Sequence, residues 1–168
     1  MARTYLVDAH NALYRLFDPA PESADEGRRR LVERAGHALR LHGAGAARAH
    51  LVFDTTPAGR LRAGTHGRDG GVSWSYADGS ADEEILRLVR ENDGRDAGRQ
   101  IVVVTDDREL KGRARQLGAE ALAVHDWFVA KDVEEERRAA RAGPPLTAAD
   151  FGMTDDVIDL DGTRPDDL

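Results

Sequence analysis

The 168-residue chain contains no cysteine. Disulfides, thiolate zinc sites and cysteine nucleophiles are therefore excluded, and a reducing compartment is accommodated. Long apolar runs are also missing: stretches such as Ile101–Val104 are far too short to span a bilayer, so no membrane association is expected. The N-terminus leads directly into an apolar strand without a signal-peptide pattern, and a cytoplasmic protein is expected. Lysine is almost absent, with only Lys111 and Lys131, so the basic side chains are nearly all arginines, which suit planar phosphate recognition. The six histidines lack the spacing of a zinc site.

With 40% hydrophobic and 33% charged residues, the composition is that of a soluble globular domain. The length suits one domain with a proper core. The net charge of −7 is unevenly spread. From Leu146 onward seven aspartates face Arg164 alone, which leaves residues 1–145 near neutral at −1. Residues 1–145 are therefore expected to form the domain, and 146–168 an acidic tail, disordered or loosely docked.

Short apolar runs alternate with helical periodicity. Strands are expected at 4–8, 50–54, 72–76, 100–105 and 120–124. Between them come a helical turn at 11–17 and helices at 25–42, 80–92 and 106–117, with a last helix beginning at Asp126 and running through 134–141. Leu31, Val32, Ala35, Ala38 and Leu39 mark the apolar face of the long helix. Ser80 with Glu83, and Asp106 with Glu109, are spaced as capping boxes. Residues 57–71, with five glycines, read as a flexible loop. Strands alternating with helices imply an α/β sandwich with a mainly parallel sheet.

Several apolar segments deliver an acid at their end. Tyr5-Leu6-Val7 runs into Asp8, Leu51-Val52-Phe53 into Asp54, and Ile101–Thr105 into Asp106-Asp107, while Asp82 follows Ser80 at a helix start. In a parallel sheet such ends share one edge, where ligands of open α/β folds bind. Clustered carboxylates there suit a hard cation such as Mg²⁺ or Mn²⁺. Each residue also has a plainer role open to it. Asn11 can cap the helix after the first strand, Asp54 can start a turn, and Asp82 can complement a helix dipole. Of the adjacent pair, Asp106 is read as the N-cap and Asp107 as the ligand.

Leu6-Val7-Asp8-Ala9-His10-Asn11, Val52-Phe53-Asp54, Ser80-Ala81-Asp82-Glu83 and Val103–Glu109, in this order, resemble the blocks of the NYN domain, a branch of the PIN-like nucleases, and its YacP-type bacterial members. The likeness covers residues 3–140, with Ala9 standing where the family usually has glycine and Asp106 where it usually has a small polar residue. It implies a three-layer α/β/α sandwich with a PIN-like sheet, and a metal-dependent endoribonuclease related to ribosome-associated enzymes that cut messenger RNA. It also implies Asp8, Asn11, Asp82 and Asp107 as the catalytic set, and Asp8, Asp54, Asp82, Asp107 and Asp106 around the metal.

For single-stranded RNA, arginines and an aromatic face are the expected grip. Arg60, Arg62 and Arg68 in the glycine-rich segment, Trp74 on the following strand, and Arg108 and Lys111 after the acidic pair are candidates. A non-catalytic RNA- or ribosome-binding module of the same fold is the alternative. A haloacid-dehalogenase-like phosphatase is disfavoured, because it requires Asp-x-Asp after the first strand and position 10 is His10.

Overall fold

The computed structural model describes residues 2–42, 46–55, 65–92, 99–129, 138 and 140–142. The chain divides into two compact units, Met1–Glu134 and Glu135–Leu168. In the second, the described residues are helical; the acidic tail and most of the expected last helix lie outside the described residues.

The first unit is built on a six-stranded sheet in the order β3-β4-β2-β1-β5-β6. The strands are β1 (Ala2–Asp8), β2 (Arg48–Phe53), β3 (His66–Asp69), β4 (Val72–Tyr76), β5 (Arg99–Val104) and β6 (Glu120–Leu122). All neighbours pair in parallel except β3 with β4. Helices α1 (Ala9–Leu16), α2 (Ala24–Leu41) and α5 (Val124–Phe128) lie on one face, and α3 (Ala81–Asn92) and α4 (Arg108–Gln116) on the other. The expected three-layer α/β/α sandwich is therefore present.

Strands covered on both faces must be apolar on both, which is why β1 and β5 read as unbroken runs. Tyr5, Val7, Val102 and Val104 face α1, α2 and α5, whereas Leu6, Ile101 and Val103 face α3 and α4. The predicted stripe of α2 is buried at Leu31, Ala35 and Ala38, with Val32 and Leu39 packed at its margin. Ser23 starts this helix, its hydroxyl accepting the Glu26 N–H at 3.1 Å.

β4 alternates because its two faces differ. Val72 and Tyr76 are buried on the α2 side. On the other side Ser73 and Ser75 hold the ring of His50, with Nδ1 at 2.7 Å and Nε2 at 2.9 Å from their hydroxyls. Ser73 Oγ donates to the Ala49 carbonyl at 3.4 Å, so it accepts from Nδ1–H, and Nε2 accepts from Ser75. Burial holds the His50 pKa below its usual value and keeps that ring neutral.

Three expectations need correction. The loop read over 57–71 contains β3, which has no apolar residue to announce it and exists through backbone pairing to β4. Gly70 turns the hairpin with φ +55°. The last helix of this unit begins after Ala123 rather than at Asp126, which sits inside its first turn. Asp107, not Asp106, is the N-cap of α4.

Gly67 lies under the Trp74 ring, where an added Cβ would come within 2.2 Å of the indole. Gly67→Ala should therefore displace Trp74 and destabilise the domain by about 1–3 kcal/mol, as overpacking does. Urea unfolding followed by tryptophan fluorescence measures this; an unchanged midpoint would mean that the indole does not lie on the glycine in solution.

Candidate active site

β1 and β5 are neighbours, but the chain leaves them on opposite faces, into α1 and α4. Their carboxyl ends therefore part into a crevice, the topological switch point of an open parallel sheet. Asp8 stands on one side of it and Thr105-Asp106-Asp107 on the other.

Asp8 and Thr105 are the buried polar residues among those described. The Thr105 hydroxyl donates to Asp8 Oδ2 at 3.0 Å and accepts the Asp107 N–H at 3.1 Å. Asp107 Oδ1 in turn accepts the Leu110 N–H at 3.0 Å, capping α4. With the cap at Asp107, Leu110 takes the position three residues on, so Asp106 and Glu109 form no capping box. Asp106 is engaged elsewhere. Its Oδ1 accepts the Val124 N–H at the start of α5 (3.0 Å), and its Oδ2 pairs with Arg15 Nε at 3.0 Å.

Asn11 reaches across the crevice, its Oδ1 accepting the Asp106 N–H at 2.8 Å. From the β2 end, Asp54 Oδ1 accepts the Ala81 N–H at 2.6 Å and so tethers the start of α3, immediately before Asp82. The Asp54 backbone N–H donates to His10 Nδ1 at 3.2 Å, and Asp54 Oδ2 stands 3.9 Å from the same nitrogen.

The charges sense one another. Burial first, then the negative charges of Asp8, Asp107, Asp54 and Glu109, push the Asp82 carboxyl up to about 6. Asp8 is also raised, chiefly by burial and further by Asp54 and Asp107; hydrogen bonds from the Thr105 hydroxyl and the Asn11 backbone N–H oppose this without reversing it. The structure thus brings Asp8, Asp54, Asp82 and Asp107 into one electrostatic cluster, with Asn11 bracing it and the Asp106 carboxylate turned to α5. Among the described residues, no three acidic or histidine side chains form a ready-made metal cage. The donors are nevertheless the hard oxygens that Mg²⁺ and Mn²⁺ take. A Mg²⁺ site needs only one or two carboxylates, with water and phosphate completing its shell.

Residues 5–143 match the model of the YacP-like NYN domain. The chain belongs to that family. No curated protein matches this YacP-like chain. Among solved structures it is similar to a point mutant of Rae1 (YacP) from Bacillus subtilis, at 25% identity and TM-score 0.56, over 84% of this chain and 80% of that one. It is also similar in fold to a second crystal structure of Rae1 (YacP) from Bacillus subtilis, at 23% identity and TM-score 0.55, over 83% and 78%. The YacP-like domain therefore carries a nuclease-like fold, and no described helix is long and apolar enough to cross a membrane.

Among the described residues, the RNA-contact candidates of this YacP-like domain do not form one surface. Arg68 turns its Nε to the Gly70 carbonyl (3.1 Å) at the hairpin turn, the end of β4 opposite the acids. Trp74 packs on Gly67 with the Arg28 guanidinium 5.8 Å from its ring, at the outer edge of the sheet. Arg108 opens α4 directly after Asp107, and Lys111 follows within its first turn. Arg60 and Arg62 lie outside the described residues. Thr105, Glu109 and His10 entered the cluster unannounced: each has a legible local role, and only the fold shows that their neighbours converge.

The pH dependence of stability follows from Asp82. A carboxyl that binds its proton more tightly when folded contributes stability at low pH and loses it as pH rises from 3.8 to about 6. In metal-free buffer, Asp82→Asn should therefore gain in melting temperature over the parent between pH 4 and pH 7, ending the more stable of the two. A constant difference across that range would mean that Asp82 does not feel its neighbours.

Proposed function

We propose that this YacP-like NYN chain is a divalent-metal-dependent endoribonuclease hydrolysing phosphodiester bonds of single-stranded RNA. The observation that carries this reading is the gathering of Asp8, Asp54, Asp82 and Asp107 at the switch-point crevice, where burial first and then the charges of its neighbours push Asp82 up to about 6. Four carboxylates kept together against their repulsion suit a site that a cation and a phosphate complete.

Asp8, Asp82 and Asp107 would hold Mg²⁺ or Mn²⁺. Such a cation supplies charge stabilisation on the transferring phosphate and activation of the attacking water. The chain's own residues set the geometry. Thr105 fixes Asp8 against the Asp107 backbone, Asp54 holds the first amide of α3 so that Asp82 stays at the crevice, and Asn11 locks the β5–α4 loop. Asp107 commits Oδ1 to α4, which leaves Oδ2 for a ligand. Arg108 and Lys111, in the first turn of α4 after Asp107, would meet RNA phosphates. In keeping with the ribosome-associated relatives to which the sequence blocks are similar, the substrate is messenger RNA cut in association with ribosomes in the cytoplasm.

Cleavage of a labelled single-stranded RNA pool, with and without ribosomes, tests this. Mn²⁺ or Mg²⁺ should support cutting and chelator abolish it. Asp8→Asn should reduce the rate at least ~100-fold, since metal charge stabilisation is worth several kcal/mol and each ~1.4 kcal/mol is tenfold. No cutting under any condition, with RNA held equally well in chelator, would instead identify a non-catalytic RNA- or ribosome-binding module.

A further inference from the structure

Tyr14 is the one large hydrophobic side chain that stands exposed among the described residues, at 80%. It follows His10 by four residues on α1, so the two share a helix face, and α1 itself begins directly after Asp8. Together with Leu13, Pro21, Glu22 and Gly27 they line a pocket of 240 Å³. That is of a size to take a single planar base rather than a folded helix of RNA.

The lining chemistry separates a base from a phosphate. The pocket contains no arginine or lysine and includes Glu22, so an anion is repelled. It offers an aromatic face and a ring donor instead. His10 Nδ1 accepts the Asp54 N–H, so the neutral ring carries its proton on Nε2, a donor for a base edge. The same hydrogen bond joins the pocket to the acidic cluster through one side chain, His10.

We infer that the Tyr14–His10 pocket is a base subsite, in which one unpaired nucleobase flanking the scissile phosphate stacks on Tyr14 and is met by His10 Nε2–H. Tyr14 is then a positioning residue that sets substrate affinity and register. The inference rests on the ribonuclease reading, and its test separates the two.

Base–aromatic stacking is worth about 1–3 kcal/mol, so Tyr14→Ala should raise KM roughly 5- to 150-fold with kcat little changed, while Tyr14→Phe keeps the parent's values. Removing the base of one nucleotide beside the cut should weaken the parent as much as Tyr14→Ala does, and should cost nothing further in Tyr14→Ala, because the two changes delete one contact. Binding of the same oligoribonucleotide by fluorescence anisotropy, in an Asp8→Asn background, gives a readout independent of cutting. If the parent cuts and Tyr14→Ala matches it, the subsite is refuted and the nuclease reading stands. If the parent cuts nothing but Tyr14→Ala still weakens binding, the nuclease reading falls and the base contact stands. No effect in either assay overturns both.

Discussion

One hydroxyl group holds the centre of this domain together. Asp8 ends a strand buried on both faces, where an unpaired carboxylate is costly. Thr105 Oγ1 donates to it and accepts the Asp107 N–H, so one side chain satisfies the buried acid, joins the ends of β1 and β5, and sets the start of α4. The same device recurs around the crevice. Asp54 takes the first amide of α3 and Asp106 the first amide of α5. The acids at the strand ends thus tie down three helix N-termini, whose unpaired N–H groups need acceptors and whose positive dipole ends tolerate negative charge. The hydrogen bonds that organise the layers are the ones that hold the carboxylates in place.

This arrangement leaves a residual tension. The helix-start amides and the Thr105 hydroxyl neutralise part of the negative charge, yet Asp82 remains raised by burial and, after it, by Asp8, Asp107, Asp54 and Glu109. A fold optimised for stability alone would not collect these groups at one point. Sites that bind cations or phosphate carry this kind of local conflict. The His10 ring connects the conflict to its surroundings, with one nitrogen on the Asp54 backbone and its body lining the pocket beside Tyr14.

Much of the fold was legible in the sequence because its elements differ in period. The unbroken apolar runs of β1, β2 and β5 belong to strands covered twice, and the Leu31–Leu39 stripe belongs to a helix covered once. β3 was not legible. His66-Gly67-Arg68-Asp69 has no apolar pattern, and its strand geometry comes from pairing with β4 and from Trp74 lying over Gly67. Asp106 and Asp107 show the limit for the site. Adjacent acids after a strand have identical local propensities, and a shift of one residue moves the cap. Only the position of α5, whose first amide needs the Asp106 carboxylate, decides which acid caps α4 and which turns away.

The sequence by itself determined the layered α/β class, the strand ends at which acids are delivered, and the family to which the chain belongs. These depend on short-range pattern: which positions can be buried, and which residue first carries charge at the end of a buried run. The tertiary structure decided what the acids do to one another. β1 and β5 lie side by side although some ninety residues separate them, and it is their divergence to opposite faces that opens the crevice. Only there do Asp8, Asp54, Asp82 and Asp107 share one field, with Thr105 between two of them and His10 beside a third. Electrostatic coupling falls with distance through space rather than along the chain, so it comes into being when the sheet closes the distance.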